Sequence, residues 1–500
     1  MATGANRPVA PDCLTLLPMR SRTLVSLLLV LAGLCLPAAA HAGSRQVTIF
    51  QDDQPLIRSG DASREALLNE VDAMGVDVIK VGIQWADVAP SGKRKPSGFD
   101  GSDPSQYPGW GPFDALVRDA QARGLRVMFA LTSPYPGWAT KRRGDRQGSS
   151  TPSAREFGRF AEAAGERYPG VDLWTLGNEP NHPDFLAPQS KSGRPVAPHS
   201  YRAMVRSSVA GLERAGHSGS TILFGELLPI GKSSSGPRLN LQPIRFLREF
   251  FCLDSSWRPF RGRAAKLRGC NRYRRLTGLD GFAYHPYTRA GGPRIVEPSP
   301  NDATIRSLSR VTRALDRARG KGRIGGGRLK IWNTEFGFQS RPPDMFGSKL
   351  SRIPGYMAES ELWLSMRNRR VVSYSQYTMT DTPLRGGGDV FGTWQGGLRY
   401  ANGRAKRGVY NAFRLPIFVR LLGPSAVEVR GAARPGGSGS VVQVQQRRRG
   451  SGYEDLGGPI TIRNERGYFT ARFRIGQASA RTYRFRFQDM TSPKTKAVVR

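Results

Sequence analysis

Two glutamates stand in short motifs, each directly after an apolar run that is typical of a buried strand. Glu179 lies in WTLGNEPN (residues 174–181) and Glu335 lies in IWNTEFG (residues 331–337). Burying an unpaired carboxylate is costly, so each glutamate is either paired within the structure or used in chemistry. Two carboxyl groups about 5–5.5 Å apart can split a glycosidic bond with retention, because one protonates the leaving oxygen while the other attacks the anomeric carbon.

That chemistry needs elements that bring both glutamates to one place, and the chain alternates β-branched apolar runs with amphipathic stretches. The strand patterns cover residues 47–50, 76–84, 126–132, 171–176, 221–227, 279–285, 329–335 and 371–377. The helical patterns between and after them cover residues 61–74, 113–123, 153–167, 201–215, 243–251, 302–319 and 356–367. Eight strands each followed by a helix predict a (β/α)8 TIM barrel, whose strands end at one shared pocket. An open doubly wound sheet is the alternative, but no Gly-rich phosphate turn follows the first strand.

The character of the sequence changes at about Pro416. Short runs that alternate apolar and polar residues follow, separated by Gly-rich turns such as residues 436–439, and they predict a small antiparallel β-sandwich. The predicted fold class is therefore α/β, with a TIM barrel over residues 43–415 and a β-sandwich over residues 416–490. Residues 491–500 are predicted to be a frayed basic tail.

The motifs resemble those of glycoside hydrolase clan A, the four-seven superfamily, and are most similar to families 5 and 39. The resemblance covers residues 47–413, with Asn178-Glu179-Pro180 at the end of strand four and Glu335 at the end of strand seven. It implies that Glu179 is the acid/base, that Glu335 is the nucleophile, and that Asn178 hydrogen-bonds the sugar 2-hydroxyl. The acid should then lie in less polar or more negative surroundings than the nucleophile.

Further candidate residues lie after the other strands. His285 and Tyr287 are two residues apart and face the same way in an extended chain, so a hydroxyl of Tyr287 donating to Glu335 would favour its ionised form. A packed His-Tyr pair is the alternative. Trp85 and Trp138 are candidate sugar platforms, because flat aromatic faces cover apolar C–H faces, although core packing explains either of them nearly as well.

The sequence departs from the clan pattern at two places. Where the clan usually has an Arg on strand two that hydrogen-bonds the nucleophile, this chain has Lys80, which lacks the planar fork. Where the clan often ends strand eight with a Trp, this chain has SYSQY (residues 373–377), so Tyr374 or Gln376 would serve as the substrate contact.

The chain is strongly basic, with 76 Lys and Arg against 39 Asp and Glu and a net charge of +37. The basic residues are spread along the chain and no zinc-finger, RRM or KH signature occurs, which argues against nucleic acid as the partner. A basic surface could instead hold the protein near an anionic cell-wall polymer. The His residues lack companions at ligand spacing, so we predict no metal, no cofactor, and a carbohydrate as the main partner.

The N-terminus has the pattern of a secretory signal peptide over residues 1–42, with Met19 as an alternative start. Arg20 and Arg22 precede an apolar run at residues 24–36, and Ala40-His41-Ala42 forms a small-x-small cleavage site. The expected location is therefore extracellular or cell-wall associated, with no membrane attachment after cleavage. Cys252 and Cys270 would remain, and in an exported protein they are expected to form a disulfide, with two free thiols as the alternative.

Together these features predict a secreted retaining glycoside hydrolase that cleaves β-linked oligosaccharides or polysaccharides. The alternative is a catalytically impaired barrel protein that binds carbohydrate or associates with the cell wall. Loss of one carboxylate would favour that alternative, and both Glu179 and Glu335 are present.

Overall fold

The computed structural model describes residues 46–140, 148–384 and 393–499. Eight parallel strands, β1 to β8, form one sheet in the order β8-β1-β2-β3-β4-β5-β6-β7. They are β1 Val47–Gln51, β2 Val78–Gln84, β3 Arg126–Thr132, β4 Leu173–Leu176, β5 Thr221–Leu227, β6 Gly281–Tyr284, β7 Lys330–Asn333 and β8 Ser373–Tyr377. The predicted leader, residues 1–42, lies outside the described residues.

The sheet closes on itself where β7 meets the start of β8. Ile331 and Val371 form a parallel bridge. The Ile331 N–H donates to the Arg370 carbonyl at 2.7 Å, and the Val372 N–H donates to the Ile331 carbonyl at 2.9 Å. Closure of eight parallel strands is the defining feature of a TIM barrel, so the predicted barrel is confirmed.

Side chains alternate between the barrel interior and the surrounding helices, as strand geometry requires. Most of the strands contribute to an interior apolar cluster made of Val47, Ile49, Val78, Met128, Leu173, Leu223, Ala283 and the partly buried Trp332. The opposite faces join a larger core with the helices. The barrel is therefore filled by side chains, and the reacting groups must lie at the strand ends.

The helices follow the strands and enclose the barrel. They are α1 Asp61–Ala73, α2 Trp85–Val88, α3 Gly111–Gln121, α4 Ala154–Arg167, α5 Ala197–Arg214, α6 Pro243–Phe250, α7 Gly262–Lys266, α8 Ser309–Gly320, α9 Ile353–Glu359 and α10 Val409–Arg414. A π-helical segment, Ser360–Ser365, continues α9. None of the helices in the described part of the chain combines the length and apolarity needed to cross a membrane.

Antiparallel strands follow α10 and form two small sheets. The first contains β9 Ile417–Gly423, β10 Ala426–Ala432 and β14 Tyr468–Arg474; the second contains β11 Val441–Arg447, β12 Glu454–Asp455, β13 Ile460–Thr461, β15 Thr482–Phe487, β16 Met490–Thr491 and β17 Thr495–Lys496. Apolar side chains of both sheets share one core that includes Val419, Val429, Val444 and Phe485. This packing is that of a β-sandwich.

The prediction of a frayed tail from residue 491 is wrong for the part that the structure describes. Strands β16 and β17 both pair with β15. The Val498 N–H donates to the Val419 carbonyl at 3.0 Å, and the Leu421 N–H donates to the Val498 carbonyl at 2.9 Å. The basic composition of these residues suggested a disordered tail, but their backbone pairs with both sheets. Strand pairing depends on main-chain hydrogen bonds and not on side-chain charge.

A disulfide and a buried ion pair stabilise the fold. Cys252 and Cys270 form the expected disulfide, with Cα atoms 5.7 Å apart. The Arg434 guanidinium makes two hydrogen bonds to Glu361, at 2.7 and 2.8 Å, and Tyr468 donates to the same carboxylate at 2.7 Å. This buried ion pair joins the helical layer of the barrel to the antiparallel sheets.

Candidate active site

Glu179 is held at the carboxyl end of the barrel by an unusual backbone conformation. It follows β4 by three residues and has a φ of 35°, in the left-handed region that non-glycine residues rarely adopt. Its N–H donates to the carbonyl of Glu226, near the end of β5, at 2.9 Å. The side chain is 11% exposed, so the carboxyl group lies at the floor of the site with limited contact to solvent.

Glu335 follows β7 by two residues and reaches the same place. Its side chain is 12% exposed. The hydroxyl of Tyr287, which follows β6, donates to Glu335 Oε1 at 2.9 Å. Tyr287 is itself packed against Phe336 and Trp394, with ring centroids 5.9 and 5.3 Å away. The packed ring therefore fixes the direction from which the hydroxyl reaches the carboxylate.

The two carboxyl groups lie close to each other and to His285. One oxygen of Glu179, one oxygen of Glu335 and one ring nitrogen of His285 all lie within 4.8 Å of one another. The His285 Nδ1 atom is 3.0 Å from Glu179 Oε1 and 3.9 Å from Glu335 Oε1. This proximity fits the narrow spacing of the two carboxyl groups in retaining glycosidases.

Both ring nitrogens of His285 face carboxylates. Opposite Nδ1, the Nε2 atom lies 2.5 Å from Glu226 Oε2. Ionised Glu226 can only accept from Nε2, and a second hydrogen on Nδ1 that is donated to Glu179 Oε1 makes the ring an imidazolium. Burial alone would lower the pKa of His285, but the charges of Glu335 and Glu226 outweigh it and raise the pKa to about 10.

Glu226 is a site residue that the sequence analysis missed. Its carboxylate is fully buried and accepts from Lys80 Nζ at 2.6 Å and from the Thr175 hydroxyl at 2.9 Å. Burial would raise the pKa of Glu226, but the charges of Lys80 and His285 lower it to about 2. The available signal was Gly225-Glu226 within an apolar strand, since a glycine followed by a charged residue at such a place marks a bulge or a close backbone approach.

The expected contrast between the surroundings of Glu179 and Glu335 is not evident from their contacts. Each carboxyl group has one close donor, His285 for Glu179 and Tyr287 for Glu335. Burial raises the pKa of Glu335, against the lowering effects of the His285 and Lys80 charges and of the Tyr287 hydrogen bond. The division of roles between the two glutamates thus stays a prediction.

Lys80 and Asn178 differ in burial and in their hydrogen-bond partners. Lys80 is completely buried and pairs with Glu226, so it does not make the hydrogen bond to Glu335 that the clan pattern suggested, and it has no exposed surface with which to contact a substrate. Asn178 is partly exposed beside Glu179, and its side chain makes no hydrogen bond to any residue that the structure describes. Its amide is therefore available to a ligand.

The packing alternative holds for both candidate tryptophans. Trp85 has no exposed surface and stacks on Phe160, with ring centroids 5.3 Å apart. Trp138 is 9% exposed, packs edge-on against Trp85 at 5.4 Å, and donates its N–H to the Pro90 carbonyl at 3.0 Å. The prediction that they line a sugar site is wrong in this structure, because Trp85 at the start of α2 and Trp138 in the loop after β3 pack together in the aromatic core.

Strand β8 also presents different residues from those predicted. Tyr374 is 1% exposed and its ring packs against Phe336. Gln376 is 2% exposed, and its amide donates to the backbone carbonyls of Tyr377, Thr378 and Gly396. Neither side chain is free to contact a sugar, and Gln376 instead anchors the following loop.

Two further aromatic residues lie beside Tyr287, the residue that donates to Glu335: Trp394 packs against Tyr287, and Tyr377 packs against Trp394. Both are partly exposed, and their ring centroids are 5.3 Å apart. The Trp394 N–H donates to the Tyr377 carbonyl at 2.9 Å, and Trp394 also contacts Tyr287. Trp394 lies in a Gly-rich loop without periodicity, which is why the strand pattern did not reveal it.

Two groups of side chains in the described residues have metal-donor chemistry, but neither is suited to hold an ion. One contains His199 with Cys252 and Cys270, whose sulfurs are already bonded to each other. The other is Glu179, His285 and Glu335. A doubly protonated imidazole has no lone pair to offer, so a metal would first have to displace a proton from His285.

No protein-family model matches the chain, and no curated protein matches it. Solved structures do. A family 5 glycoside hydrolase from Bacteroides vulgatus is 12% identical, with a TM-score of 0.44 over 88% of this chain and 89% of that chain. A GH5_18 variant from Bifidobacterium longum in complex with Manb1-4GlcNAc is 11% identical, with a TM-score of 0.47 over 73% and 77%. Xylanase 10B from Thermotoga maritima is 14% identical, with a TM-score of 0.43 over 74% of this chain and 93% of that chain.

These neighbours are glycoside hydrolases of the kind that the sequence motifs resemble. At such low identity and TM-score the likeness itself says nothing about the reaction of this chain. The chemical argument therefore depends on the residues described above.

Proposed function

We propose that this protein is a retaining glycoside hydrolase, with Glu179 as acid/base and Glu335 as nucleophile. The observation that carries the proposal is the approach of these two carboxyl groups within 4.8 Å at the carboxyl ends of β4 and β7. An inverting enzyme needs a wider separation, since a water molecule must fit between the sugar and the base. The retention of both carboxyl groups argues against the catalytically impaired alternative.

Charge balance supports the presence of one transferable proton. With Lys80 and His285 charged and Glu226 and Glu335 ionised, the buried cluster is neutral only when Glu179 is protonated. The His285 N–H occupies Oε1 of Glu179, which leaves Oε2 to carry the proton towards the leaving oxygen.

The reaction then proceeds in two displacements. In the first, an oxygen of Glu335 bonds to the anomeric carbon, the glycosidic C–O bond breaks, and the proton of Glu179 passes to the leaving oxygen. In the second, ionised Glu179 takes a proton from water, the water oxygen bonds to the anomeric carbon, and the bond to Glu335 breaks. In this proposal the Asn178 amide binds the 2-hydroxyl and Trp394 covers an apolar sugar face.

We further propose a β-linked oligosaccharide or polysaccharide as substrate and an extracellular location. The Cys252–Cys270 disulfide supports export, since such bonds persist mainly in oxidising compartments. The motif resemblance supports the β linkage.

A panel of aryl β-glycosides tests the reaction, with NMR of the first-formed anomer as the stereochemical readout. We expect the β anomer to form first. Appearance of the α anomer first would contradict retention, and absence of hydrolysis across aryl glycosides and polysaccharides would contradict the proposed activity.

Two variants test the roles of the carboxyl groups. Glu179→Ala should retain activity on substrates whose leaving group needs no proton, and azide should restore turnover as the β-glycosyl azide. Glu335→Ala should lose activity on every substrate, with azide rescue giving only the inverted product. The opposite pattern of rescue products would exchange the two assignments.

A further inference from the structure

Glu226 owes its position to an irregularity in β5. The pairing of β5 with β6 shifts register between Gly225 and Leu227, and Glu226 is the extra residue, with a φ of 50°. Gly225 has a φ of 121°, and a Cβ atom there would lie 2.4 Å from the Ala283 carbonyl oxygen. Bulges at barrel rims redirect a side chain, and here the bulge turns a carboxylate into the barrel.

The hydrogen bonds of Glu226 connect it to residues of the candidate active site. Its side chain accepts from Lys80 and Thr175 on β2 and β4, and from His285 after β6. Its backbone carbonyl accepts from the N–H of Glu179, the other left-handed glutamate. Since Glu226 has no exposed surface, it cannot touch a substrate directly.

A purely structural ion pair would be the simplest explanation of Lys80 and Glu226. Two observations favour a role of Glu226 in the candidate active site as well. Strained residues cluster where a site needs fixed geometry, and the two strained glutamates are hydrogen-bonded to each other. Moreover, Glu226 Oε2 is shared between Lys80 and His285, so the pair also fixes the imidazole.

We propose that Glu226 is a positioning residue for the reaction proposed above: together with Lys80 and Thr175 it holds the His285 ring with both nitrogens as donors, so that an N–H always points at Glu179. The proposal rests on the proposed function. The groups that face His285 are Glu179, Glu226, Glu335 and Tyr287, and Lys80 acts on the ring through Glu226.

The consequence of losing the Glu226 charge follows from hydrogen-bond chemistry. A glutamine at position 226 can still accept from His285 Nε2 but no longer stabilises a positive ring. His285 would then lose a proton more readily, and its Nδ1 atom would become an acceptor. The carboxylic O–H of Glu179 would then hydrogen-bond to His285 Nδ1 instead of pointing at the leaving oxygen. Protonation of the leaving group would therefore be slowed.

Glu226→Gln and the double variant Lys80→Met/Glu226→Gln test this. The double variant removes both charges with side chains of similar size, so it keeps the proposal testable if the single variant does not fold. The matched control is Arg434→Met/Glu361→Gln, which removes another buried ion pair; in the described structure neither of its residues forms a hydrogen bond or an ion pair with His285. Thermal unfolding verifies that each variant is folded.

The first readout is independent of activity. NMR of 15N-labelled histidine side chains, assigned with a His285→Gln variant, should show His285 as an imidazolium at about pH 8 in the native protein and in the control. In the Glu226 variants His285 should be neutral at that pH. A ring that stays doubly protonated in folded Glu226 variants would overturn the proposal.

The second readout is the pH dependence of kcat on an aryl glycoside. In the Glu226 variants kcat should fall by roughly a hundredfold, with a smaller change in KM, and the alkaline limb should move to lower pH. The control should leave the profile in place. If native protein hydrolyses no glycoside, the proposed function fails while NMR still decides the link between Glu226 and His285; if activity is present but kcat and its pH profile do not change in folded variants, the positioning role is refuted.

Discussion

The hydroxyl of Tyr287 gives the sharpest test of how the site keeps Glu335 ionised. It donates to Glu335 Oε1 at 2.9 Å, and a hydrogen bond to a charged group contributes about 1.5–3 kcal/mol. Since about 1.4 kcal/mol corresponds to one pH unit, Tyr287→Phe should raise the pKa of Glu335 by about 1 to 2. The sign follows because the hydroxyl stabilises only the ionised form.

The assay is kcat/KM on an aryl β-glycoside as a function of pH. In native protein, burial raises the pKa of Glu335, so the acid limb should lie above the ordinary glutamate value of 4.5. In Tyr287→Phe this limb should move further up by about 1 to 2 pH units, so the variant loses about tenfold in rate for each unit on the acid side.

Tyr377→Phe is the matched control. Tyr377 lies in the field of the same carboxylates and contacts the same tryptophan, but its hydroxyl donates to no described residue. Its acid limb should coincide with that of native protein. The reasoning is refuted if the limb of Tyr287→Phe does not move, or if Tyr377→Phe moves it equally.

Three further predictions concern the disulfide, the buried ion pair and the sugar platform. Replacing Cys252 and Cys270 by Ser opens a bridge over a sequence separation of 18 and should lower the free energy of unfolding by about 3 kcal/mol, measured by urea denaturation; an unchanged midpoint would contradict this. Arg434→Met leaves the carboxylate of Glu361 buried and unpaired and should cost about 3–5 kcal/mol, less at low pH because burial raises the pKa of Glu361, and adding Glu361→Gln should recover most of the loss. Trp394→Ala should raise KM on the order of tenfold, equivalent to about 1.4 kcal/mol, and an unchanged KM would exclude Trp394 as a sugar platform.

The barrel was predictable because its signal is repeated. A short run typical of a strand recurs eight times along the chain, and all eight predicted runs overlap the observed strands, so a weak local pattern gains strength from its recurrence. Helix ends were less predictable. The pattern over residues 302–319 begins before α8, because a short 3-10 turn, Ile305–Ser307, precedes that helix.

Within the site, sequence reasoning found the residues that stand in motifs and missed those placed by backbone irregularity. Glu179, Glu335, His285 and Tyr287 come together as their strand-end positions suggested. Glu226 was hidden inside the apolar run of β5, because alternation along a regular strand does not foresee the bulge that turns its side chain inward. Periodicity predicts which face of a strand or helix is buried. The burial of Trp85 and Trp138 depends on the conformation of the loops after the strands, which no periodic pattern predicts.

The pairing of Lys80 with Glu226 also affects the hydrogen bonds that reach Glu335. A fully buried lysine needs a carboxylate, and Glu226 supplies it. That pairing draws the Lys80 ammonium away from Glu335, whose only side-chain hydrogen bond from the described residues is then the one from Tyr287. An arginine fork at position 80 would have shared this task, so the ionisation of Glu335 should depend more strongly on Tyr287 here than in a site with that fork. The pH profile of Tyr287→Phe therefore measures a property that follows from the substitution on strand two.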